Sequence, residues 1–156
     1  MKGNPKIIEM LNDLLSDELT AIVQYIVQAE LFDNWGYKKL HKIFMNRAKT
    51  EMQHAEKHIE RIIFLEGKVT GIKFKEMEIG ENPEEILKIS KDGEEYAVKA
   101  YNNAIKICEE LGDNGTKTML ESILKDEESH LDLVESQLDQ IKQMGLQNFL
   151  STQTEE

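Results

Sequence analysis

At 156 residues, 40% of them hydrophobic, the chain has the size of one domain with a single sizeable core. Thirty acidic against nineteen basic residues give a net charge of -11, which opposes nucleic-acid binding, and no apolar run approaches the ~20 residues that span a bilayer. The lone Cys108 excludes an internal disulfide and any Cys-x-x-Cys module, and Met1 to Leu15 lacks the unbroken apolar stretch of a signal peptide, so the expectation is one domain, residues 1–156, soluble and cytoplasmic.

Proline occurs only at Pro5 and Pro83, each directly after an asparagine, and Asn-Pro reads as a helix N-cap followed by the first helical position. From Pro5 the apolar residues Ile8, Leu11, Leu15, Leu19, Ile22, Ile26 and Ala29 recur at three- and four-residue steps, predicting a helix that ends near Asn34-Trp35-Gly36. A second helix is predicted from Tyr37 to Leu65, with Gly67 placed to end it. The link from Gly67 to Glu81 reaches ~50 Å when extended, enough to run the ~43 Å of a helix of roughly 29 residues. Its alternating Ile72-Lys73-Phe74-Lys75 looks strand-like, predicting an extended crossover that makes the second and third helices parallel. The third helix is predicted from Pro83 to Leu111, a turn at Gly112-Asp113-Asn114-Gly115, a fourth helix from Thr116 to Met144 and a short fifth from Leu146 to Leu150. Short links within each pair and one long crossover between pairs give an all-α four-helix bundle of the ferritin-like kind.

Two glutamate-x-x-histidine steps stand out, Glu51 to His54 in the second helix and Glu127 to His130 in the fourth. Residues three apart share a helix face with a rise of ~4.5 Å, so the carboxylate and the imidazole can reach one metal ion together. Glu18 precedes Glu51 by 33 residues and Glu94 precedes Glu127 by the same 33, so the two halves repeat with an offset of 76, which also relates Tyr25 to Tyr101. The chain therefore reads as two copies of one helical hairpin, related in space by a local two-fold axis. Glu95 lies beside Glu94, and only the spacing selects the latter. One carboxylate from each of two helices and a Glu-x-x-His from each of the other two is the ligand set of carboxylate-bridged di-iron and di-manganese bundles. Four carboxylates balance two divalent ions, and mixed carboxylate and imidazole ligands suit iron, manganese or zinc, of which only the first two do redox chemistry. The bland alternative is that these glutamates are solvated helix-surface charges. Tyr25, about two turns beyond Glu18 on the same side, is equally a core aromatic or a redox-active neighbour of the metals, while His41 and His58 lie outside the repeat and read as ordinary polar or packing residues.

The segments Met1-Lys2-Gly3, Phe32 to Gly36 (FDNWG), Glu51 to His54 (EMQH), Ile59 to Gly67 (IERIIFLEG), Asp126 to His130 (DEESH) and Met144 to Asn148 (MGLQN) resemble bacterioferritin, and the resemblance spans the whole chain. It implies a ferroxidase in which Glu18, Glu51 and His54 hold one iron and Glu94, Glu127 and His130 the other, with Glu51 and Glu127 bridging. It implies Fe(II) with oxygen or hydrogen peroxide as substrates, and ferric mineral stored in a hollow homo-oligomeric shell of about 24 subunits built from two-fold dimers. Haem b is implied between each pair of subunits, held by one methionine from either side. The matching position is Met52, with Leu19, Ile22, Val23 and Ile26 as an apolar wall. A ferredoxin-type reductant for iron release belongs to the same set of expectations. Asn46 and Thr50 depart from well-known members, which carry histidine and aspartate there as an inner-surface iron site; that site is expected to be absent here. Iron would then reach the interior through the two-iron site, with His130 as its gate. The alternative, a rubrerythrin-like peroxidase, uses the same six ligands, but its usual rubredoxin partner domain needs four cysteines, which this chain lacks.

Overall fold

In the computed structural model, which describes residues 1–155, both Asn-Pro pairs start helices. The Asn4 side chain accepts a hydrogen bond from the Lys6 amide at 2.8 Å and opens α1 (Pro5–Trp35); Asn82 does the same for Glu85 at 2.9 Å and opens α3 (Pro83–Glu110). Gly36 ends α1 in the left-handed region, φ 89°, where the missing Cβ removes the steric cost, and α2 (Lys38–Phe64) follows at once. The fourth helix, α4 (Asn114–Met144), begins two residues before its expected start. The Asp113 carboxylate accepts from the Thr116 amide at 3.0 Å and caps the helix there, which shrinks the predicted turn. The short α5 (Leu146–Ser151) follows Gly145.

The α1–α2 and α3–α4 hairpins meet through α1–α3 and α2–α4 contacts, giving the four-helix bundle. Between α2 and α3 the chain crosses over in extended form, but no strand forms among the described residues, and Ile72 and Phe74 point to solvent. The alternation at 72–75 has no neighbouring strand to pair with. Instead α1 takes up the crossover's polar groups through a stripe of side chains on one face, Asn12, Ser16, Thr20 and Gln28. The Asn12 amide donates to the Lys68 carbonyl at 3.0 Å, and its oxygen accepts from the Thr70 and Gly71 amides at 2.8 and 2.9 Å. Ser16 donates to the Gly71 carbonyl, Thr20 accepts from the Lys75 amide, and Gln28 donates to the Ile79 carbonyl, each at 2.8 Å. A Cβ at Gly71 would lie 2.1 Å from the Asn12 carbonyl oxygen, so the approach requires glycine.

Two apolar clusters fill the bundle, one around Leu11, Leu15, Ile62 and Leu120, the other around Phe32, Phe44, Val134 and the Phe149 side chain of α5. Cys108 is packed in the first. Between the clusters the interior turns polar, and there the glutamates and histidines of the repeat lie. No helix is long and apolar enough to cross a membrane.

Candidate metal centre

Each long helix contributes one inward carboxylate to the polar belt: Glu18, Glu51, Glu94 and Glu127 are all no more than 3% exposed. The solvated-surface alternative therefore fails for all four. Neighbouring Glu95 lies outside the cluster, 3.7 Å from Lys91, whereas Glu94 is 2% exposed. The i, i+3 steps bring each histidine to the same place as its glutamate. His54 Nδ1 lies 3.6 Å from Glu18, 3.8 Å from Glu51 and 3.3 Å from Glu127; His130 Nδ1 lies 3.7 Å from Glu51, 3.7 Å from Glu94 and 3.8 Å from Glu127. One oxygen each of Glu51 and Glu127 thus sits between the two imidazoles, within 3.8 Å of both. The ligand atoms form two groups, Glu18, Glu51, His54 and Glu127 in one and Glu94, Glu127 and His130 in the other, within 4.8 Å of one another in each.

Every one of the six residues has a buried polar atom with no hydrogen-bond partner: Glu18 Oε2, Glu51 Oε1, Glu94 Oε2, Glu127 Oε1, and Nδ1 of both His54 and His130. Unpartnered buried polar atoms are rare because each forfeits its solvation without compensation. Six of them converge on one spot, in two groups that could each hold a metal ion.

The two-fold repeat reappears in the residues behind the ligands, with a crossing. Tyr25 of the first half donates to Glu94 of the second, and Tyr101 of the second donates to Glu18 of the first at 2.5 Å. Tyr25 is also a core aromatic, edge-on to Phe44. His58 is not an ordinary packing residue: its Nε2 lies 2.6 Å from the Tyr101 hydroxyl, with the rings stacked, and so joins the centre through Tyr101 and Glu18. Burial holds its pKa down to about 3, so the ring is neutral. With the Tyr101 proton given to Glu18, the His58 Nε2–H donates to the phenol oxygen. Its position, one helical turn beyond His54, was the available signal. The His41 ring, in contrast, meets the Ala29 carbonyl at 2.9 Å and belongs to neither group of clustered carboxylates and imidazoles.

Two further residues were not singled out by spacing. Asp126 Oδ2 lies 2.8 Å from His54 Nε2, a carboxylate behind the imidazole. Arg47, 2% exposed, donates to Ser90 Oγ at 2.7 Å and reaches the His130 carbonyl at 3.4 Å, with its guanidinium over the Phe44 ring. It lies one turn before Glu51, the signal that could have found it. Met52 points away from the cluster and is 58% exposed.

Burial and the facing Glu18 hold Glu51 well above the usual carboxylate range, burial and Glu127 push Glu94 up to about 8, and burial takes Glu127 to about 7. Burial opposes the charge on His54, but the carboxylates of Glu127, Glu18 and Glu51 outweigh it and hold that ring protonated far above its ordinary range. The metal-free cluster therefore holds protons where cations would sit. A cavity of about 340 Å³ between α1, α3 and the crossover reaches all four glutamates, and at its wall Gly93 has no atom within 4 Å of where a Cβ would stand. Gln24, Lys75 and Tyr96 also line it, the last an exposed side chain.

Residues 8–144 match the family model of the ferritin-like domain. The chain is 43% identical to a bacterioferritin of Rhodobacter capsulatus over 96% of its own length and 92% of that protein's. It is 40% identical to a bacterioferritin of Brucella melitensis over the same shares, and 33% identical to a bacterial ferritin of Pseudomonas aeruginosa over 98% and 99% of the two chains.

Proposed function

The chain belongs to the bacterioferritin family of ferritin-like proteins, and from that premise we propose that it is an iron-storage ferroxidase, acting as one domain, that binds two Fe(II) per chain at the six-residue centre. The observation that carries this reading is the convergence of six buried, unpartnered donor atoms, one from each of Glu18, Glu51, His54, Glu94, Glu127 and His130. Iron is the substrate. It enters by the cavity beside Gly93, drawn by the carboxylates, and displaces the protons that the cluster holds. Glu51 and Glu127, each facing both imidazoles, bridge the two ions. Two Fe(II) then give up two electrons, which with two protons reduce one hydrogen peroxide to two waters, or one dioxygen to hydrogen peroxide. Tyr25 and Tyr101, which burial and neighbouring carboxylates keep protonated, hold Glu94 and Glu18 in orientation.

Ferric iron then passes inward to a mineral held by a homo-oligomeric shell of about 24 copies. Thr50 and Asn46 are neutral, and the Thr50 hydroxyl is spent on the Asn46 carbonyl, so neither supplies charge for a separate inner-surface iron. Iron therefore leaves through the two-iron site itself. His130, 16% exposed against 1% for His54, is the gate that opens. A second addition of Fe(II) some minutes after the first, without reductant, should recover the fast ferric absorbance phase. A site that stays ferric with no second fast phase contradicts the pore.

Haem b is the second part of the proposal. Its fit rests on Met52 of α2, 58% exposed, and on the half-buried Leu19, Ile22 and Val23 and the exposed Ile26 of α1, which would supply one soft axial ligand per chain and an apolar wall. Two copies across a two-fold axis would supply both ligands, and the haem would provide an electron relay for a ferredoxin-type reductant that releases iron. Met52→Leu should lose the bis-methionine haem spectrum while keeping the fast iron phase; retention of that spectrum would exclude Met52. The unpaired, buried Cys108 suits a reducing cytoplasm.

A further inference from the structure

The cavity between α1, α3 and the crossover is walled by six carboxylates, of Asp17, Glu18, Glu51, Glu76, Glu94 and Glu127, and by a single cation, Lys75. The four glutamates of the centre are buried, while the Lys75 side chain is 33% exposed and Glu76 lies open to solvent, so Lys75 stands at the outer end of the route. Its Nζ is held 2.8 Å from Asp13 Oδ1 and 2.6 Å from Asp17 Oδ1, one turn apart on α1. The ammonium therefore bridges two carboxylates from the crossover side, and both are spent on a cation that the chain itself supplies.

The backbone keeps this arrangement in place. The Lys75 amide donates to Thr20 Oγ1 at 2.8 Å, so the side chain starts from a fixed point beside the cavity and can swing without moving the crossover. On the α3 wall Gly93 sits in the middle of the helix with open space where a Cβ would stand. A glycine weakens the middle of a helix, and no close packing requires one here. What it leaves is an unobstructed wall.

We propose that Lys75 gates cation entry to the centre: its ammonium, strapped between Asp13 and Asp17, is the one positive charge on the cavity wall and sets how fast a divalent ion passes. This rests on the two-metal reading above. A divalent ion passing a fixed ammonium meets twice the repulsion of a single charge, and the two aspartates that could draw it in are already neutralised. Neutral oxygen and hydrogen peroxide meet no such barrier. An ion pair this exposed is weak, so Nζ can swing into solvent, which uncovers both aspartates and opens the route.

Stopped-flow mixing of Co²⁺ with the metal-free, assembled full chain reads entry without redox chemistry, through the visible bands of the bound ion. The trace of the same assembly carrying Glu18→Ala and Glu127→Ala is subtracted for surface sites. Lys75→Met should raise the bimolecular rate by about three- to tenfold at ~0.01 M salt, where the screening length is ~30 Å. At ~1 M salt, where that length is ~3 Å, the gain should shrink to less than about 1.5-fold. Lys75→Arg should keep the wild-type rate, and Gly93→Leu, which fills the open wall, should slow entry. The final amplitude should be the same in all three, because none removes a donor atom of the centre. A loosened fold would also admit metal faster, but that excess would survive salt. A Lys75→Met rate no higher than wild type at low salt, a gain that persists at high salt, an arginine variant as fast as the methionine one, or wild-type entry in Gly93→Leu would overturn the inference. No cobalt bands above the subtracted background would instead refute the two-metal reading itself.

Discussion

Glu18→Ala combined with Glu127→Ala is expected to slow the fast ferric phase by on the order of 100-fold or more, because it removes one terminal and one bridging carboxylate. Glu127 faces both imidazoles, so its loss leaves neither metal position with its full set. Lost chemistry can be told apart from lost structure. The wild-type apo-protein buries four carboxylates without cations, a costly arrangement, and deleting two of them relieves it. The metal-free variant should therefore melt at or above the wild-type temperature while its stopped-flow absorbance trace loses the fast phase. Glu95→Ala, one residue from a ligand but on the exposed side, should leave the phase intact. A fast phase that survived the double variant would mean the ligands are wrongly assigned.

Raising the pH from about 6.5 to 8 should destabilise the metal-free protein, and added Zn²⁺ should cancel the effect. Glu94 at about 8 and Glu127 at about 7, with Glu51 also raised, bind protons in the folded state that their unfolded counterparts have already lost. The raised His54 adds to this, because its contribution is full below its unfolded value and is lost only as pH climbs toward its folded one. All four have the folded state binding more protons in this window, so stability falls as pH rises, by on the order of 2–4 kcal/mol per pH unit. His58 and His130, both lowered by burial, act in the opposite direction, but only at the lower edge of the window, where their unfolded counterparts still bind protons. Metal ions displace the same protons, and loading the centre at pH 7 should release about three protons per chain. Thermal melts across the window with and without Zn²⁺, and pH-stat titration during loading, read both effects. A metal-free melting temperature that rose with pH would contradict the protonated cluster.

The helices were legible because their signals are local: Asn-Pro at two starts, glycine at the ends, and apolar steps of three and four. The six residues of the buried cluster were legible because the repeat imposes a spacing that solvated charges need not keep. What escaped the reading depends on partners distant in sequence. The Ile72–Lys75 alternation resembled a strand, but pattern cannot reveal that the crossover's partner is the helix stripe Asn12, Ser16, Thr20 and Gln28. His58 and Arg47 fall on the ligand-bearing face of α2, yet nothing in their spacing says that one meets Tyr101 on α3 and the other the His130 carbonyl on α4. The start of α4 moved for a smaller reason, a cap by Asp113 inside a stretch that read as turn.

If the six residues together form one binding site for two iron ions, anaerobic titration of the metal-free protein with Fe(II) shows it. Bound iron, measured per chain after subtraction of the Glu18→Ala, Glu127→Ala background, should saturate at two, the number the paired Glu-His groups can hold. Saturation at one ion per chain, or iron binding equal to that of the double variant, would contradict it.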